Sequence, residues 1–220
     1  MQAWHKPYEA YLFDLDGTLI DTAPDLHAAL THTLTTAGYK PCTEEMTRHW
    51  IGHGARAMIR EALVFQNCTA VEDEVERLFQ PFLDYYAAHP TTHSKPYPGV
   101  VSTLTALQLR GAHLAVVTNK IEQLTRPILT NLELDQFFSS VIGGDTAAHP
   151  KPDAAPVQLA MDELGVGTDE TLFVGDSETD VLAANAAGIP VVCVRDGYNH
   201  GVDVATLSLD GVIDGFAELL

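Results

Sequence analysis

The sequence predicts an α/β protein with a doubly wound, Rossmann-like parallel sheet and a helical cap domain inserted after the first strand. Three observations support this prediction. Short apolar runs alternate with segments of helical periodicity, as in proteins built on a parallel sheet. The runs are rich in Val, Leu, Ile and Phe, as expected of strands buried on both faces. One stretch of the chain carries helical patterns and no strand pattern.

Five strands are predicted from the apolar runs. They are Ala10–Phe13, His113–Val117, 139–142, 171–174 and Val191–Val194. Three helices are predicted between them. One apolar stripe follows Pro98-Gly99 and ends at Gly111, and another ends at Gly165. A third helix is predicted to begin near Thr125, because proline is tolerated only in the first turn of a helix and Pro127 would then lie there.

The stretch between the first two strands predicts a separate group of helices. Leu26, Leu30 and Leu34 repeat every four residues and define one helix, which is expected to end at Gly38. Two further helices are predicted over Ala55–Phe65 and Val71–Ala88.

The length of this insertion predicts the domain organisation. It is far longer than an ordinary connection between neighbouring parallel strands. We therefore predict a core formed by residues 1–22 and 98–220 and a separate helical domain formed by residues 23–97, which would sit over the end of the sheet, with 96–99 as the return hinge.

The composition excludes several classes of function. The chain has 220 residues, with 12 Lys and Arg against 30 Asp and Glu, which gives a formal net charge of −18. Nucleic acids and anionic lipid surfaces both require a concentrated basic surface, so we expect neither as a partner. No apolar run reaches the roughly 18 residues of a membrane span. Three widely spaced cysteines and an N-terminus unlike a signal peptide favour a cytoplasmic protein.

Reactive side chains follow four of the predicted strands at the point where each strand ends. They are Asp14 and Asp16 after the first strand, Thr118 to Lys120 after the second, Lys151 in the loop after the third, and Asp176 to Asp180 after the fourth. Ligands of open α/β sheets bind beyond the carboxyl ends of the strands. We therefore expect these side chains to converge on one edge of the sheet.

The chemistry of this group indicates phosphoryl transfer. Asp14, Asp16 and Asp176 would repel one another unless a cation lay among them, and an all-oxygen site favours Mg²⁺. Thr118 and Lys151 supply a hydroxyl donor and a positive charge for phosphate oxygens. One carboxylate can then attack phosphorus as a nucleophile, while a second delivers a proton to the leaving oxygen.

These motifs, in this order, resemble those of the haloacid dehalogenase-like hydrolase superfamily. The resemblance rests on Asp14-Leu15-Asp16-Gly17-Thr18, Thr118, Lys151-Pro152 and Gly175-Asp176 followed by Asp180. Two further segments resemble the phosphoglycolate phosphatases of that superfamily. They are Trp50-Ile51-Gly52-His53-Gly54-Ala55 in the insertion and Gly197-Tyr198-Asn199-His200-Gly201 near the C-terminus.

The resemblance implies roles for the three aspartates. Asp14 would be the nucleophile and a Mg²⁺ ligand. Asp16 would be the general acid and then the base for the hydrolytic water, with its backbone carbonyl also contacting the metal. Asp176 would be the third protein ligand of the metal.

It also implies how the remaining residues act. Thr118, Asn119 and Lys151 would bind the transferring phosphoryl group and the substrate, and Lys151 would also offset the charge of Asp14. Ser177 and Asp180 would orient the metal ligand or its waters.

The cap would supply further contacts to the substrate. His53 lies between two glycines and could project from a loop onto the substrate. Arg48 and Arg56 are candidates for binding a substrate carboxylate, since a guanidinium presents a fork of donors.

The predicted function is Mg²⁺-dependent hydrolysis of a small phosphorylated metabolite through an aspartyl-phosphate, with 2-phosphoglycolate as the expected substrate and a monomer or homodimer as the expected state. A phosphatase of another metabolite, such as a sugar phosphate or nucleotide, is the alternative within the same class. From a different class, the same edge could belong to a receiver-type signalling module that accepts a phosphoryl group. The helical insertion argues against that alternative, because such a module has no use for it.

Overall fold

A computed structural model describes residues 4–220, so the first three residues of the predicted core segment 1–22 lie outside the described chain. Its strands are β1 (Ala10–Phe13), β2 (Ile20–Asp21), β3 (Lys95–Pro96), β4 (His113–Val117), β5 (Ser140–Ile142), β6 (Thr171–Gly175), β7 (Val191–Val194) and β8 (Gly211–Ile213). Its α-helices are α1 (Ala23–Thr36), α2 (Glu44–Trp50), α3 (Ala55–Phe65), α4 (Val71–Ala88), α5 (Val100–Leu109), α6 (Glu122–Asn131), α7 (Ala155–Leu164) and α8 (Glu178–Ala187). None of these helices is long and apolar enough to cross a lipid bilayer.

Six strands form one parallel sheet in the order β5-β4-β1-β6-β7-β8. Counted along the core alone, this order is 3-2-1-4-5-6, so the chain winds outward from β1 in both directions. The predicted doubly wound core is therefore confirmed. In such sheets ligands bind beside the central strand, at the carboxyl ends where the winding direction reverses. Here that point lies beyond Phe13, the last residue of β1.

The central strands are apolar because both faces of the sheet are covered. Every residue of β1 is buried, and successive side chains point to opposite faces. Phe13 packs into the larger apolar cluster, which also holds residues of α5, α6 and the inserted helices. Leu12 packs into the cluster formed with α7 and α8. This two-sided burial fixes β1 rigidly and thereby fixes the position of the residues that follow it.

Helices α1 to α4 form the inserted cap, and their apolar side chains join the larger cluster that contains Phe13. Leu30, Ile59, Leu63 and Phe82 come from three different cap helices and are fully buried. The bounds predicted for α3 and α4 are confirmed.

The two segments that join the cap to the core pair with each other. Strands β2 and β3 are antiparallel, with Ile20 opposite Pro96 and Asp21 opposite Lys95. A further hydrogen bond runs from the Tyr97 N–H to the Leu19 carbonyl, at 3.0 Å. The chain therefore enters and leaves the cap through one short ribbon.

The predicted start of α6 is wrong. The helix begins at Glu122 and not near Thr125, so Pro127 lies inside it. The carboxylate of Asp145, from the loop after β5, accepts a hydrogen bond from the Glu122 N–H at 2.8 Å. This contact satisfies one of the free donors at the helix start, and it comes from a residue distant in sequence.

Three short strands and one short α-helix were not predicted. The ribbon β2–β3 and the edge strand β8 have only two or three residues per strand, which is too short for a visible alternation. Helix α2 has seven residues, and Thr43 caps it by accepting a hydrogen bond from the Met46 N–H at 3.2 Å. The threonine followed by two glutamates is a helix-start signal that the sequence did contain.

Asp25 connects the first and last parts of the cap, and its replacement should destabilise the protein. Its buried carboxylate accepts hydrogen bonds from the His93 N–H at 3.0 Å, from the Ser94 N–H at 2.8 Å and from the Ser94 hydroxyl at 2.7 Å. Asp25→Ala leaves these donors without an acceptor, which should cost about 3 kcal/mol of the free energy of unfolding.

The measurement is thermal unfolding. For a chain of this length we expect the Tm of Asp25→Ala to fall by about 6–12 °C. The control is Asp73→Ala, which changes an exposed residue of α4. A fall no larger than that of the control would show that Asp25 does not hold these segments together.

Candidate active site

The predicted strand-end residues meet at one edge of the sheet. Asp14 follows β1, Thr118 follows β4 and Asp176 follows β6, all at carboxyl ends of neighbouring strands. Lys151 reaches the same place from the loop after β5, and its ammonium lies 2.9 Å from an Asp14 carboxylate oxygen. All four side chains are buried.

Three carboxylates form a compact acidic cluster at this edge. Oxygens of Asp14, Asp176 and Asp180 all lie within 4.8 Å of one another. Burial raises the pKa of Asp14 to about 6, and the charges of Asp180 and Asp16 add to this while Lys151 opposes it. Burial also raises the pKa of Asp176 well above its usual value, with the charges of Asp180 and Asp14 contributing.

The cluster fits a hard divalent cation. All of its ligand atoms are oxygens, and a cation would compensate the negative charge that makes the ionised carboxylates unfavourable there. Gly17 and Gly197 both approach Asp176 so closely that a Cβ atom on either would clash with it. Backbone therefore encloses this carboxylate on two sides, which gives it the fixed position that Mg²⁺ coordination requires.

Other groups hold the Asp176 carboxylate in place. The Thr18 hydroxyl donates to one oxygen at 3.0 Å. The Tyr198 N–H donates to the other at 2.5 Å. These bonds come from the loop after β1 and the loop after β7, so both loops help to position a single carboxylate.

Asp180 is fully engaged by protein donors. One oxygen accepts hydrogen bonds from the N–H groups of Asp176 and Ser177, each at 3.1 Å, and from the Ser177 hydroxyl at 2.9 Å. The other oxygen lies 2.6 Å from the Lys151 ammonium. Asp180 thus contacts both the backbone of Asp176 and the ammonium of Lys151, and its predicted supporting role next to the metal ligand stays a prediction.

Lys151 remains a cation in this buried position. Burial alone would lower the pKa of its ammonium, but the charges of Asp14 and Asp180 outweigh burial and raise it. The structure therefore places a fixed positive charge directly beside Asp14.

Asp16 points away from the cluster, toward a second buried cation. The ammonium of Lys120 lies 2.8 and 2.9 Å from its two carboxylate oxygens, and the Thr22 hydroxyl donates at 2.5 Å. Asp16 and Asp14 thus have different cationic partners, Lys120 and Lys151, although only Leu15 lies between them. The predicted metal contact through the backbone carbonyl of Asp16 stays a prediction.

Asn119 connects the core to the cap loop. Its side-chain amide donates to the Gly52 carbonyl at 3.1 Å and to the Lys151 carbonyl at 3.0 Å. The neighbouring Thr118 hydroxyl accepts a hydrogen bond from the Lys120 N–H at 3.2 Å. Asn119 therefore holds both the cap loop and the loop that carries Lys151, and its predicted contact with substrate stays a prediction.

A cavity of about 230 Å³ lies between this edge and the cap. Its core side includes Asp14, Asp16, Thr118, Asn119 and Lys120. Its cap side is mostly apolar, and the larger side chains there are Leu26, Met58, Phe79, Phe82, Leu83 and Tyr86. This volume is small for a ligand pocket and matches a small metabolite.

The cap residues predicted from the sequence have different environments. The His53 ring stacks on that of His200 with centroids 4.9 Å apart, and burial together with His200 lowers the pKa of His53. Arg56 lines the cavity, but its guanidinium is paired with Glu76 at 2.9 Å. Arg48 is not among the cavity residues, and it forms ion pairs with Asp21 and Glu44 instead.

The two segments that resemble phosphoglycolate phosphatases meet at the boundary between cap and core. The His200 ring lies against His53, and its Nδ1 is 2.7 Å from the His49 carbonyl. The Tyr198 hydroxyl donates to Asp21 at 2.5 Å and accepts from the Ala23 N–H at 2.9 Å. These contacts hold the cap loop and the base of the cap against the core.

Three residues at the site were given no individual role in the sequence-based prediction, although Lys120 was listed among the strand-end residues and Tyr198 in the segment near the C-terminus. Lys120 directly follows the predicted pair Thr118-Asn119, so its position after a strand end was a usable signal. The contact of Tyr198 with Asp176 is made by its backbone, which the residue type does not reveal. Tyr86 lies in the apolar stripe of α4, where an aromatic residue is expected only to pack.

Comparisons with known proteins agree with this geometry. Residues 11–194 match the family described as haloacid dehalogenase-like hydrolase. A phosphoglycolate phosphatase of Agrobacterium fabrum is 41% identical over 208 residues, which are 94% of this chain and 89% of that protein. A phosphoglycolate phosphatase of Thiobacillus denitrificans is 37% identical over 220 residues, which are 99% of this chain and 96% of that protein.

A solved structure extends the likeness to three dimensions. The crystal structure of a predicted phosphoglycolate phosphatase from Haemophilus somnus has a TM-score of 0.91 and 34% sequence identity, covering 98% of this chain and 97% of that one. The chain therefore belongs to the haloacid dehalogenase-like hydrolases and is a phosphoric monoester hydrolase similar to the phosphoglycolate phosphatases.

Proposed function

We propose that this enzyme hydrolyses 2-phosphoglycolate to glycolate and inorganic phosphate, with Mg²⁺ as cofactor and an aspartyl-phosphate on Asp14 as intermediate. The observation that carries the proposal is the position of Asp14. It stands at the end of the central strand, beside the Lys151 ammonium and two further carboxylates, and it lines the small cavity under the cap.

In the first step an Asp14 carboxylate oxygen attacks phosphorus. A bond forms between that oxygen and phosphorus, and the bond from phosphorus to the bridging oxygen of the substrate breaks. Asp16 donates a proton to the bridging oxygen, so that glycolate leaves as a neutral alcohol at that atom. Asp16 suits this role because it lines the same cavity as Asp14.

In the second step water attacks the phosphoryl group. Asp16, now a carboxylate, accepts a proton from the water as its oxygen bonds to phosphorus. The bond between phosphorus and the Asp14 oxygen then breaks, which releases phosphate and restores the Asp14 carboxylate. One residue thus acts first as acid and then as base.

The remaining residues bind the phosphoryl group, hold the metal or support the residues that do so. Lys151 and the Thr118 hydroxyl bind oxygens of the transferring phosphoryl group, where preorganised donors stabilise developing charge. The chemistry that Mg²⁺ supplies when bound, through Asp14, the Asp16 backbone carbonyl and Asp176, is neutralisation of the carboxylates and of the phosphoryl oxygens. Ser177 and Asp180 hold these groups in place, and residues 23–97 act as the cap that excludes water and selects the substrate.

A phosphate-release assay in Mg²⁺ buffer tests the proposal. The panel contains 2-phosphoglycolate, several sugar phosphates, nucleoside monophosphates and p-nitrophenyl phosphate. We expect kcat/KM for 2-phosphoglycolate to exceed the others by about ten- to a hundredfold, which corresponds to about 1.4–2.8 kcal/mol of transition-state discrimination.

Other results would point elsewhere. If kcat/KM is highest for a sugar phosphate or a nucleotide, the phosphatase activity stands but the proposed substrate is wrong. Uptake of a single phosphoryl group from a small donor, with no turnover of any ester, would favour the receiver-type alternative.

A further inference from the structure

Tyr86 has a buried hydroxyl that makes no hydrogen bond of normal length; burial raises its pKa, and the nearby Lys120 ammonium acts in the opposite direction. The residue is fully buried on α4, and its hydroxyl oxygen has no hydrogen-bond partner. The other fully buried or nearly buried residues on this helix are Val75, Leu78 and Phe82, which are apolar. Phenylalanine would complete this stripe equally well. A buried donor without an acceptor is unfavourable, so its presence needs a reason.

The Tyr86 side chain lies beside the active-site cavity. Tyr86 lines that cavity together with Asp16 and Lys120. The Lys120 ammonium lies 4.9 Å from the centre of the Tyr86 ring while it binds both oxygens of Asp16. Tyr86 therefore stands over the ion pair that positions the proposed general acid.

Few other polar side chains of the cap line the active-site cavity. Among the described cap residues that line the cavity, only His53, Arg56 and Tyr86 have polar side chains. Both donors of Arg56 that face Glu76 are used in a paired contact, at 2.9 and 3.3 Å. His53 stacks on His200 and has its Nδ1 near the Thr179 hydroxyl, at 3.5 Å. Tyr86 is the fully buried member of the three.

We propose that the Tyr86 hydroxyl donates a hydrogen bond to the carboxylate of the substrate, beside Lys120, and so selects small phosphate esters that carry an acid group. This inference rests on the proposed function. In 2-phosphoglycolate one methylene separates the bridging oxygen from the carboxyl carbon. When the bridging oxygen is close enough to Asp16 to receive a proton, the carboxylate must lie near Asp16 as well, where Lys120 and Tyr86 are found.

The same arrangement explains selectivity. A phenol is a neutral donor, and a substrate carboxylate provides the acceptor that the protein lacks. An ester without an acceptor at that point leaves the hydroxyl unpaired in a mostly apolar cavity. Sites built to hydrogen-bond one group discriminate strongly against analogues that lack it.

The test compares Tyr86→Phe with the wild type on two substrates of the same skeleton, 2-phosphoglycolate and ethyl phosphate. Ethyl phosphate carries a methyl group in place of the carboxylate. We expect Tyr86→Phe to lose about ten- to a hundredfold in kcat/KM for 2-phosphoglycolate, the range for a hydrogen bond to a charged group, mainly through KM. For ethyl phosphate the change should stay within about twofold, because no such bond exists there.

Tyr85→Phe is the matched control. Tyr85 is the preceding residue on α4 and is only partly buried, with its ring stacked on His32 at a centroid distance of 4.2 Å. It is not among the cavity residues, so the preference for 2-phosphoglycolate should be unchanged in this variant.

The outcomes separate this proposal from the one on which it depends. Equal losses on both substrates would overturn the carboxylate contact, because Tyr86 would then act through Lys120, Asp16 or the fold. No loss on either substrate would overturn it too. If the wild type prefers 2-phosphoglycolate and Tyr86→Phe keeps the full preference, the proposed role of Tyr86 is wrong and the proposed substrate still stands. If the wild type shows no preference for 2-phosphoglycolate, both the proposed substrate and the proposed Tyr86 contact are wrong.

Discussion

Asp14→Asn should lose turnover by about four orders of magnitude or more while the protein stays folded. An amide oxygen is a poor nucleophile, and removing the group that forms the covalent bond typically removes most of the rate enhancement. Stability should change little. Burial raises the pKa of Asp14 to about 6, so near pH 7 the fold gains nothing from ionising this group. Lys151 retains Asp180 as a partner in the variant.

The assay is phosphate release, together with thermal unfolding of the same preparations. Asp73→Asn is the matched control, since it makes the same chemical change at an exposed position of α4. Turnover by Asp14→Asn within tenfold of the wild type would exclude Asp14 as the nucleophile. A large fall in its Tm would instead show that the residue is needed for the fold.

Removal of divalent metal should abolish activity, and Mg²⁺ should restore it. The three clustered carboxylates carry more negative charge than the single Lys151 ammonium offsets, so Mg²⁺ should bind the native state in preference to the unfolded chain. At a Mg²⁺ concentration of about 100 times Kd, the gain is about 2.7 kcal/mol, or roughly 5–10 °C in Tm for a protein of this size.

The dependence on pH follows from Asp14. Because its pKa is raised to about 6, protons compete with Mg²⁺ as the pH falls through that value. The Tm shift on adding Mg²⁺ should therefore be large near pH 7.5 and shrink toward about pH 5.

Two controls sharpen the metal experiment. Asp176→Asn should lose both the Mg²⁺-dependent Tm shift and the activity, while Asp73→Asn should keep both. Full activity in excess EDTA would contradict the assignment of this cluster to a metal. A Tm shift that persisted unchanged in Asp176→Asn would place the ion elsewhere.

Much of the fold could be predicted because its signals are local. Strands buried on both faces are continuous apolar runs, and this pattern located β1, β4, β6 and β7. Glycine marks helix ends where the backbone turns left-handed, as Gly165 does after α7 with a φ of 70°. The start of α6 depends on a carboxylate from a different loop, and no local pattern contains that information.

The same difference between local signals and distant contacts applies to the active site. Asp14, Thr118 and Asp176 could be placed together because parallel strands bring their carboxyl ends to one edge. The partners of these residues could not, since the bond from Tyr198 to Asp176 and the ion pair of Lys120 with Asp16 join parts of the chain far apart in sequence. The lack of a hydrogen bond to the Tyr86 hydroxyl depends on the residues around it, and the helical periodicity of α4 does not reveal it.

The ribbon of β2 and β3 brings the two ends of the cap segment together next to the core. Its two ends are joined by backbone hydrogen bonds at Ile20–Asp21 and Lys95–Pro96, so the core sheet meets the same junction whatever lies beyond it. Lengthening such a closed segment is inexpensive, since each doubling of loop length adds only about 0.6 kcal/mol of closure entropy. Caps of other sizes and sequences could therefore be exchanged at this point without shifting the register of the sheet. With the cap selecting the substrate as proposed, such an exchange in evolution would change which substrate is bound and leave Asp14, Lys151 and Asp176 in place.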